Sequence, residues 1–197
     1  MIKIAIFGGS FDPPHKGHQA IVTKALSELR IDKLIIMPAY LNPFKERTLA
    51  SAEERLVWCQ RLFGEISKVE VSDYEISMGR PVYTSESIRH LGQHYEVSYL
   101  IIGADNLPSV KRWHEFEWIN ERVTWVIIER GGETPSEERL RESGLRSTLL
   151  LHIDMPTSST VIREGGNLNM VDIRIRQEVE KLLQDRKSTR LNSSHRL

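Results

Sequence analysis

The sequence predicts an α/β fold: a doubly wound, mainly parallel sheet with helices on both faces. Three observations carry that prediction. Apolar runs of strand length alternate with segments whose apolar residues recur at helical spacing, the pattern of a parallel sheet crossed by helices. Polar, glycine-rich or hydroxyl-rich turns follow the apolar runs, as expected where ligands gather beyond the carboxyl ends of the strands. The 197 residues suffice for one such domain with its core, and not for two large ones.

Taken in order, Ile2 to Phe7 is a buried strand that empties into Gly8-Gly9-Ser10-Phe11-Asp12-Pro13-Pro14-His15-Lys16-Gly17-His18. Gly17 to Leu29 reads as a helix with Ile21, Ala25 and Leu29 on one side, and Leu34 to Met37 as a second strand stopped by Pro38. Ala39 to Leu49 is a polar loop. Ser51 and Glu54 then form a capping box, ahead of Leu56, Cys59 and Phe63 at helical spacing. Val69 to Val71 is a short strand, Thr84 to Leu91 a helix, and Val97 to Ile102 a central strand ending at Gly103-Ala104-Asp105-Asn106. Leu107 to Ile119 carries short helical turns and two of the four tryptophans; Val123 to Ile128 is another strand. Thr134-Pro135-Ser136-Glu137 starts a helix with proline at its first position. Leu149 to Ile153 is the last strand, Ser158-Ser159-Thr160 a further helix start, and the final helix sets Ile175, Val179, Leu182 and Leu183 on one face.

Composition narrows the classes of function. No apolar run approaches the roughly 20 residues of a membrane span, and the N-terminus lacks the layout of a secretory signal, so a cytoplasmic location is expected, with no membrane partner. Cys59 is the lone cysteine, which excludes an internal disulfide and agrees with a reducing compartment. Basic and acidic residues number 27 each, but residues 185–197 hold four basic residues against one acidic, leaving 23 basic and 26 acidic in the remainder. A body of that balance is a poor match for nucleic acid, so a small phosphorylated ligand is expected instead. Residues 185–197 also resemble the in-frame translation of a sequencing-library adapter, and the domain is expected to comprise residues 1–184, the rest being a non-native tail. The oligomeric state is open, a homo-oligomer included.

The residues after the first strand read as a phosphate site. Gly8 and Gly9 allow close approach of backbone amides, a helix begins nearby, and His15 and His18 stand three apart at its start, so that both rings face one ligand. As donors to a phosphate they are expected in the imidazolium form. From the residues alone, a structural zinc pair or two surface histidines are the other readings, although the neighbourhood offers no further zinc ligands. Ser158, Ser159 and Thr160 supply an N-cap and amides with Arg163 one turn on, which reads as a cap or as a second anion site. Lys45 is a loop cation, Asp105 a turn residue and Trp113 an aromatic face or a core residue.

Together these motifs resemble the nucleotidyltransferase superfamily signature, His-x-Gly-His after the first strand. The Gly-Gly-Ser-Phe-Asp-Pro-Pro-His variant and the later Ser-Ser-Thr-Val-Ile-Arg segment are similar to those of the bacterial nicotinate-nucleotide adenylyltransferase family, over about residues 1 to 183. The resemblance implies a Rossmann-like nucleotidyltransferase fold and an enzyme of NAD biosynthesis that transfers AMP from ATP to nicotinate mononucleotide, giving deamido-NAD and pyrophosphate. It assigns catalysis to His15, His18, Lys45 and Arg163, and ATP binding to Gly8, Gly9, Ser10, Phe11, Gly17, Asp105, Ser158, Ser159 and Thr160. Nicotinate mononucleotide falls to Tyr83, Thr84 and Trp113, with amides near Tyr83 and Thr84 favouring the acid over the amide. Phe44 departs from the family's usual residues before the lysine. Mg²⁺ is expected to be bound mainly through the ATP phosphates, with no metal site of protein side chains. The competing readings are a related enzyme using the amide or another phosphorylated acceptor, and a nucleotide-binding module without turnover.

Overall fold

Strands β1 (Lys3–Gly9), β2 (Lys33–Pro38), β3 (Val69–Val71), β4 (Glu96–Gly103), β5 (Thr124–Arg130) and β6 (Thr148–Ile153) form one sheet in the order β3-β2-β1-β4-β5-β6, every neighbouring pair parallel. The computed structural model describes residues 1–41, 48–130, 134–155 and 158–194. The chain winds outward from β1 to β3, then returns to β1's other side with β4. The strand order therefore reverses between β1 and β4, the switch point beyond whose carboxyl ends a ligand crevice is expected in such a sheet.

Double winding follows from strands that are apolar on both faces. Successive side chains point to opposite faces, so Ile4 and Ile6 join Ile35, Met37, Leu100, Ile102, Trp125 and Ile127 on one side. Ala5 and Phe7 join Leu34, Ile36, Ile101, Val126, Ile128 and Leu151 on the other. That second face is covered by helices α1 (Lys16–Glu28) and α2 (Ala52–Phe63) and, from the C-terminal part of the chain, α8 (Ile173–Ser194). The first face is covered by α4 (Thr84–Leu91) and α5 (Phe116–Asn120). Shorter helices complete the chain: α3 (Tyr74–Ser77), α6 (Glu137–Ser143) and α7 (Ser159–Arg163).

Helix ends obey their sequence signals with one exception. Ser51 Oγ accepts from the Glu54 amide at 3.1 Å while the Glu54 carboxylate accepts from the Ser51 amide at 2.8 Å, closing the capping box. Pro135 does not occupy the first position of α6: Ser136 is the N-cap, its Oγ accepting from the Arg139 amide, and the proline stands one residue before it. A hydroxyl that can satisfy an orphan amide outcompetes proline for the helix start. The turn Tyr74–Ser77 has no apolar periodicity to announce it. On α8, Ile175, Val179 and Leu183 are buried against the sheet, and Glu178 accepts from Trp58 Nε1 at 2.6 Å and pairs with Arg61, fastening the helix to α2. Among the described residues no helix is long and apolar enough to cross a membrane.

One buried carboxyl links α3 to α4. Glu75 accepts from Ser87 Oγ at 2.7 Å, and burial pushes its pKa from 4.5 up to about 7, partly opposed by that hydrogen bond and reinforced by the charge of Glu86. The folded state therefore holds a proton that the unfolded chain has lost. This contribution to stability is complete below pH 4.5 and disappears as pH rises through about 7. The loss is at most about 1.4 kcal/mol per pH unit within that window. Glu75→Gln, which keeps an acceptor for Ser87, is expected to flatten the fall in urea-unfolding stability between pH 5 and pH 8. An unchanged slope in the variant would place the titration elsewhere.

Candidate active site

The floor of the crevice is the end of β1. Gly8 and Gly9 are still in the ladder, opposite Met37 and Pro38, so the strand runs two residues further than its apolar run. The two glycines differ in kind. A Cβ on Gly9 would stand 3.3 Å from the Phe11 ring, whereas one on exposed Gly8 would meet nothing closer than Met37 O at 3.9 Å. Gly9 makes room for Phe11; Gly8 leaves an open rim. Phe11 has a φ of +46°, a left-handed conformation that turns its side chain inward, and the ring is 1% exposed. It packs against Phe7, Phe63 and His18 at centroid distances of 5.4, 6.3 and 4.9 Å. Phe11 thus belongs to the core under the rim, backbone included.

His15 and His18 are brought together by capping. His15 is the N-cap of α1, and its Nδ1 accepts from the Gly17 amide at 3.1 Å. His18, at the third helical position, returns the contact: its Nδ1 accepts from the His15 amide at 3.1 Å. This is a capping box made of two imidazoles, with ring centroids 3.8 Å apart and exposures of 1% and 7%. The geometry corrects the expected imidazolium. A ring nitrogen that accepts an amide proton carries a lone pair, so each ring is neutral with its proton on Nε2. Both rings remain donors at Nε2, but by tautomer and not by charge. The Gly17 amide is likewise spent on His15, so the helix end acts through the imidazole.

The second motif lies against the first. Ser158 caps α7, its Oγ accepting from the Val161 amide at 3.2 Å. Ser159 Oγ donates to Pro13 O at 2.9 Å across 146 residues of sequence. Arg163 Nη1 donates to Asp12 O at 2.6 Å and lies 3.7 Å from the Asp12 carboxylate, while Nη2 donates to Thr160 Oγ1 at 3.0 Å. The hydroxyl corner and the histidine loop are therefore one continuous wall. Lys45 lies outside the described residues.

Across the switch point, β4 ends at Gly103 and a 3₁₀ turn, Ala104–Asn106, follows. Asp105 is exposed, its Oδ1 folded so closely over Gly103 that a Cβ there would stand 2.2 Å away. Tyr83 and Thr84, at the start of α4, lie against the segment that follows Trp113. Tyr83 stacks on His114 at 4.4 Å, Ser85 Oγ lies 3.3 Å from His114 Nδ1, and Arg89 grips Glu115 with both amino groups. Trp113 packs edge-on against Trp125 at 5.9 Å, and among the described residues nothing accepts from its buried indole N–H. One expected amide is already engaged: the Tyr83 N–H donates to Glu86 at 2.9 Å. Glu86 is held to about pKa 2, chiefly by its hydrogen bond from Arg80 and then by that amide. The Thr84 amide, in the half-buried first residue of α4, takes part in no hydrogen bond among the described residues, and Ser85 behind it is fully buried.

Two residues under the rim escaped sequence reasoning. Asp12, 2% exposed, accepts from the Leu49 and Ala50 amides at 2.8 and 3.0 Å. Arg55, 0% exposed, donates to Ser10 O, Ala39 O and Tyr40 O, each at 2.6 Å. The signal for Arg55 was its place on the buried stripe of α2, in register with Ala52, Cys59 and Leu62, where a solvated charge does not belong.

Comparison with known proteins shows the family and the fold. The cytidylyltransferase-like family pattern matches residues 6–165. A probable nicotinate-nucleotide adenylyltransferase from a Sulfurovum species is 54% identical over 185 residues, 94% of this chain and 96% of that protein. A protein of the same description from Campylobacter jejuni is 43% identical over 91% of this chain and 96% of its own length. Among solved structures, Plasmodium falciparum nicotinic acid mononucleotide adenylyltransferase complexed with NaAD superposes with a TM-score of 0.68 at 23% identity, covering 90% of each chain, a likeness of fold. The chain belongs to the nicotinate-nucleotide adenylyltransferase family, within the cytidylyltransferase-like proteins.

Proposed function

We propose that this protein transfers AMP from ATP to nicotinate mononucleotide, forming deamido-NAD and pyrophosphate. The observation that carries the reading is the joint wall of imidazole N–H groups and the Ser158–Arg163 corner, fastened by Ser159 to Pro13 and Arg163 to Asp12. It fits an anion longer than one phosphate.

In the proposed step a 5′-phosphate oxygen of the mononucleotide attacks the α-phosphorus of ATP. The bond from that phosphorus to the α,β-bridging oxygen breaks, and pyrophosphate leaves with the electron pair. The attacking oxygen is already ionised near neutral pH, so no protein base is required. What the reaction needs is alignment of two repelling anions and donors for charge that grows on the α-phosphate oxygens. His15 and His18 Nε2–H groups supply those donors in the neutral tautomer, and their capping bonds hold them in place before substrate arrives. Arg163 and the amides around Ser158 to Thr160 take the β- and γ-phosphates, and Lys45 is proposed to join them. The wall offers N–H and guanidinium donors, and both Asp12 oxygens are engaged by amides. That donor set suits phosphate oxygens, so Mg²⁺ is proposed to arrive on the triphosphate, where it supplies further neutralisation. Trp113 and the amide at Thr84 are proposed to hold the nicotinate ring and its carboxylate. An amide N–H accepts no hydrogen bond, so the NH₂ of nicotinamide would be left unsatisfied there.

Pyrophosphate release with ATP and either mononucleotide is expected to give a higher kcat/KM for the acid; equal values, or release with neither, would overturn the reading. His18→Asn keeps an acceptor near the Nδ1 position while removing the Nε2 donor. It is expected to keep the wild-type Tm and lose on the order of 10²-fold in kcat, whereas His18→Ala loses stability as well. Turnover near wild type in folded His18→Asn would remove the donor role. Gly103→Ala forces the exposed Asp105 carboxylate aside at little cost in stability. Its KM for ATP is expected to rise about as far as that of Asp105→Ala, and a wild-type KM would place Asp105 away from the nucleotide.

A further inference from the structure

We propose that Arg55 is a positioning residue for the phosphate site: by holding three carbonyls inward it turns the next peptide N–H groups toward the rim. The inference rests on the proposed phosphate-binding reading and deepens it. Its basis is the geometry of the peptide unit. In a trans peptide the C=O and the following N–H point in opposite directions, and the only cis bond described here is Asp12–Pro13. Fixing Ser10 O on Arg55 therefore sends the Phe11 N–H away from the guanidinium, and fixing Ala39 O and Tyr40 O does the same for the Tyr40 and Leu41 amides. None of these three N–H groups is taken up by a hydrogen bond among the described residues. The left-handed φ of Phe11 turns its ring inward against Phe7 and so fixes the same peptide from the other side.

Charge works in the same direction. Buried Arg55 and Asp12 and half-buried Arg163 bring two guanidinium ions to one carboxylate, one positive charge in excess among the three. Burial pulls the Arg55 guanidinium below its ordinary pKa, and the Asp12 charge is the main opposing influence. A planar guanidinium can meet three carbonyls in a fixed fork while staying charged; an ammonium cannot span them.

The experiment measures Kd for inorganic pyrophosphate and for adenosine, with Tm, in the full chain and in Arg55→Lys and Arg55→Met. Pyrophosphate binding is expected to weaken about tenfold in Arg55→Lys, which keeps charge without the fork, and on the order of 100-fold in Arg55→Met, while adenosine binding stays within about twofold. Wild-type pyrophosphate affinity in either folded variant, or equal losses for both ligands, would overturn the proposal. Should both variants fail to fold, the wild-type protein decides. Pyrophosphate is expected to shift the Phe11 amide resonance and slow its hydrogen exchange, and a Phe11 amide indifferent to pyrophosphate overturns the proposal. Absence of pyrophosphate release from ATP alongside Arg55-dependent pyrophosphate binding would sink the proposed reaction and leave this role standing.

Discussion

The reciprocal cap between His15 and His18 is the constraint on which the candidate site depends. Two backbone amides at the start of α1 would otherwise be orphans, and each is satisfied by an imidazole Nδ1. The same bonds fix both tautomers, set the rings 3.8 Å apart and leave the proton on each Nε2, which in His15 lies buried under the rim. Polarisation adds along such a chain, because an Nδ1 that accepts from a helix amide makes its Nε2–H a stronger donor. The positive end of the helix thus reaches the ligand through side chains. Phe11 completes the support by packing beneath His18, which is why a left-handed residue with a large ring follows the strand.

Topology then decides what can stand beside the pair. An all-parallel sheet must return every connection across a helix, so successive strand-end loops collect at one edge. The order β3-β2-β1-β4-β5-β6 puts the loops after β1 and β4 on either side of the reversal. The segment after β6 then reaches back to the β1 loop through Ser159 and Arg163. Those bonds close spans of 146 and 151 residues, and they depend on the sheet being complete.

This explains what was legible in the sequence. The double winding was readable because β1, β2, β4 and β5 are apolar on both faces, a pattern that needs only composition and strand length. The Ser51 cap was readable because both partners lie within one turn. The tautomers of His15 and His18 were not, since spacing says that two rings share a face and not which nitrogen meets an amide. Which amide near Tyr83 and Thr84 is engaged was not legible either, and Glu86, three residues on, holds the Tyr83 N–H. Pro135 yielded to Ser136 for a similar reason: two start signals competed, and the one that satisfies an amide prevailed. Arg55 required tertiary knowledge, because its partners Ser10, Ala39 and Tyr40 come from two other loops.

The buried ions bear on how such a site spends its stability. Placing Arg55 at 0% and Asp12 at 2% exposure costs desolvation energy that apolar residues of the same volume would not incur. The cost is offset by hydrogen bonds to backbone, each charge-assisted, and what those bonds determine is the direction of peptide groups. Arg163 follows the same logic. Its guanidinium is bound to Asp12 O and Thr160 before any phosphate arrives, so a ligand meets an edge already in place and little side-chain entropy remains to be lost on binding. A longer, solvated arginine would bind phosphate with more reach and less preorganisation. For a reaction whose difficulty is holding two anions in line, the fixed edge is the better use of the residue.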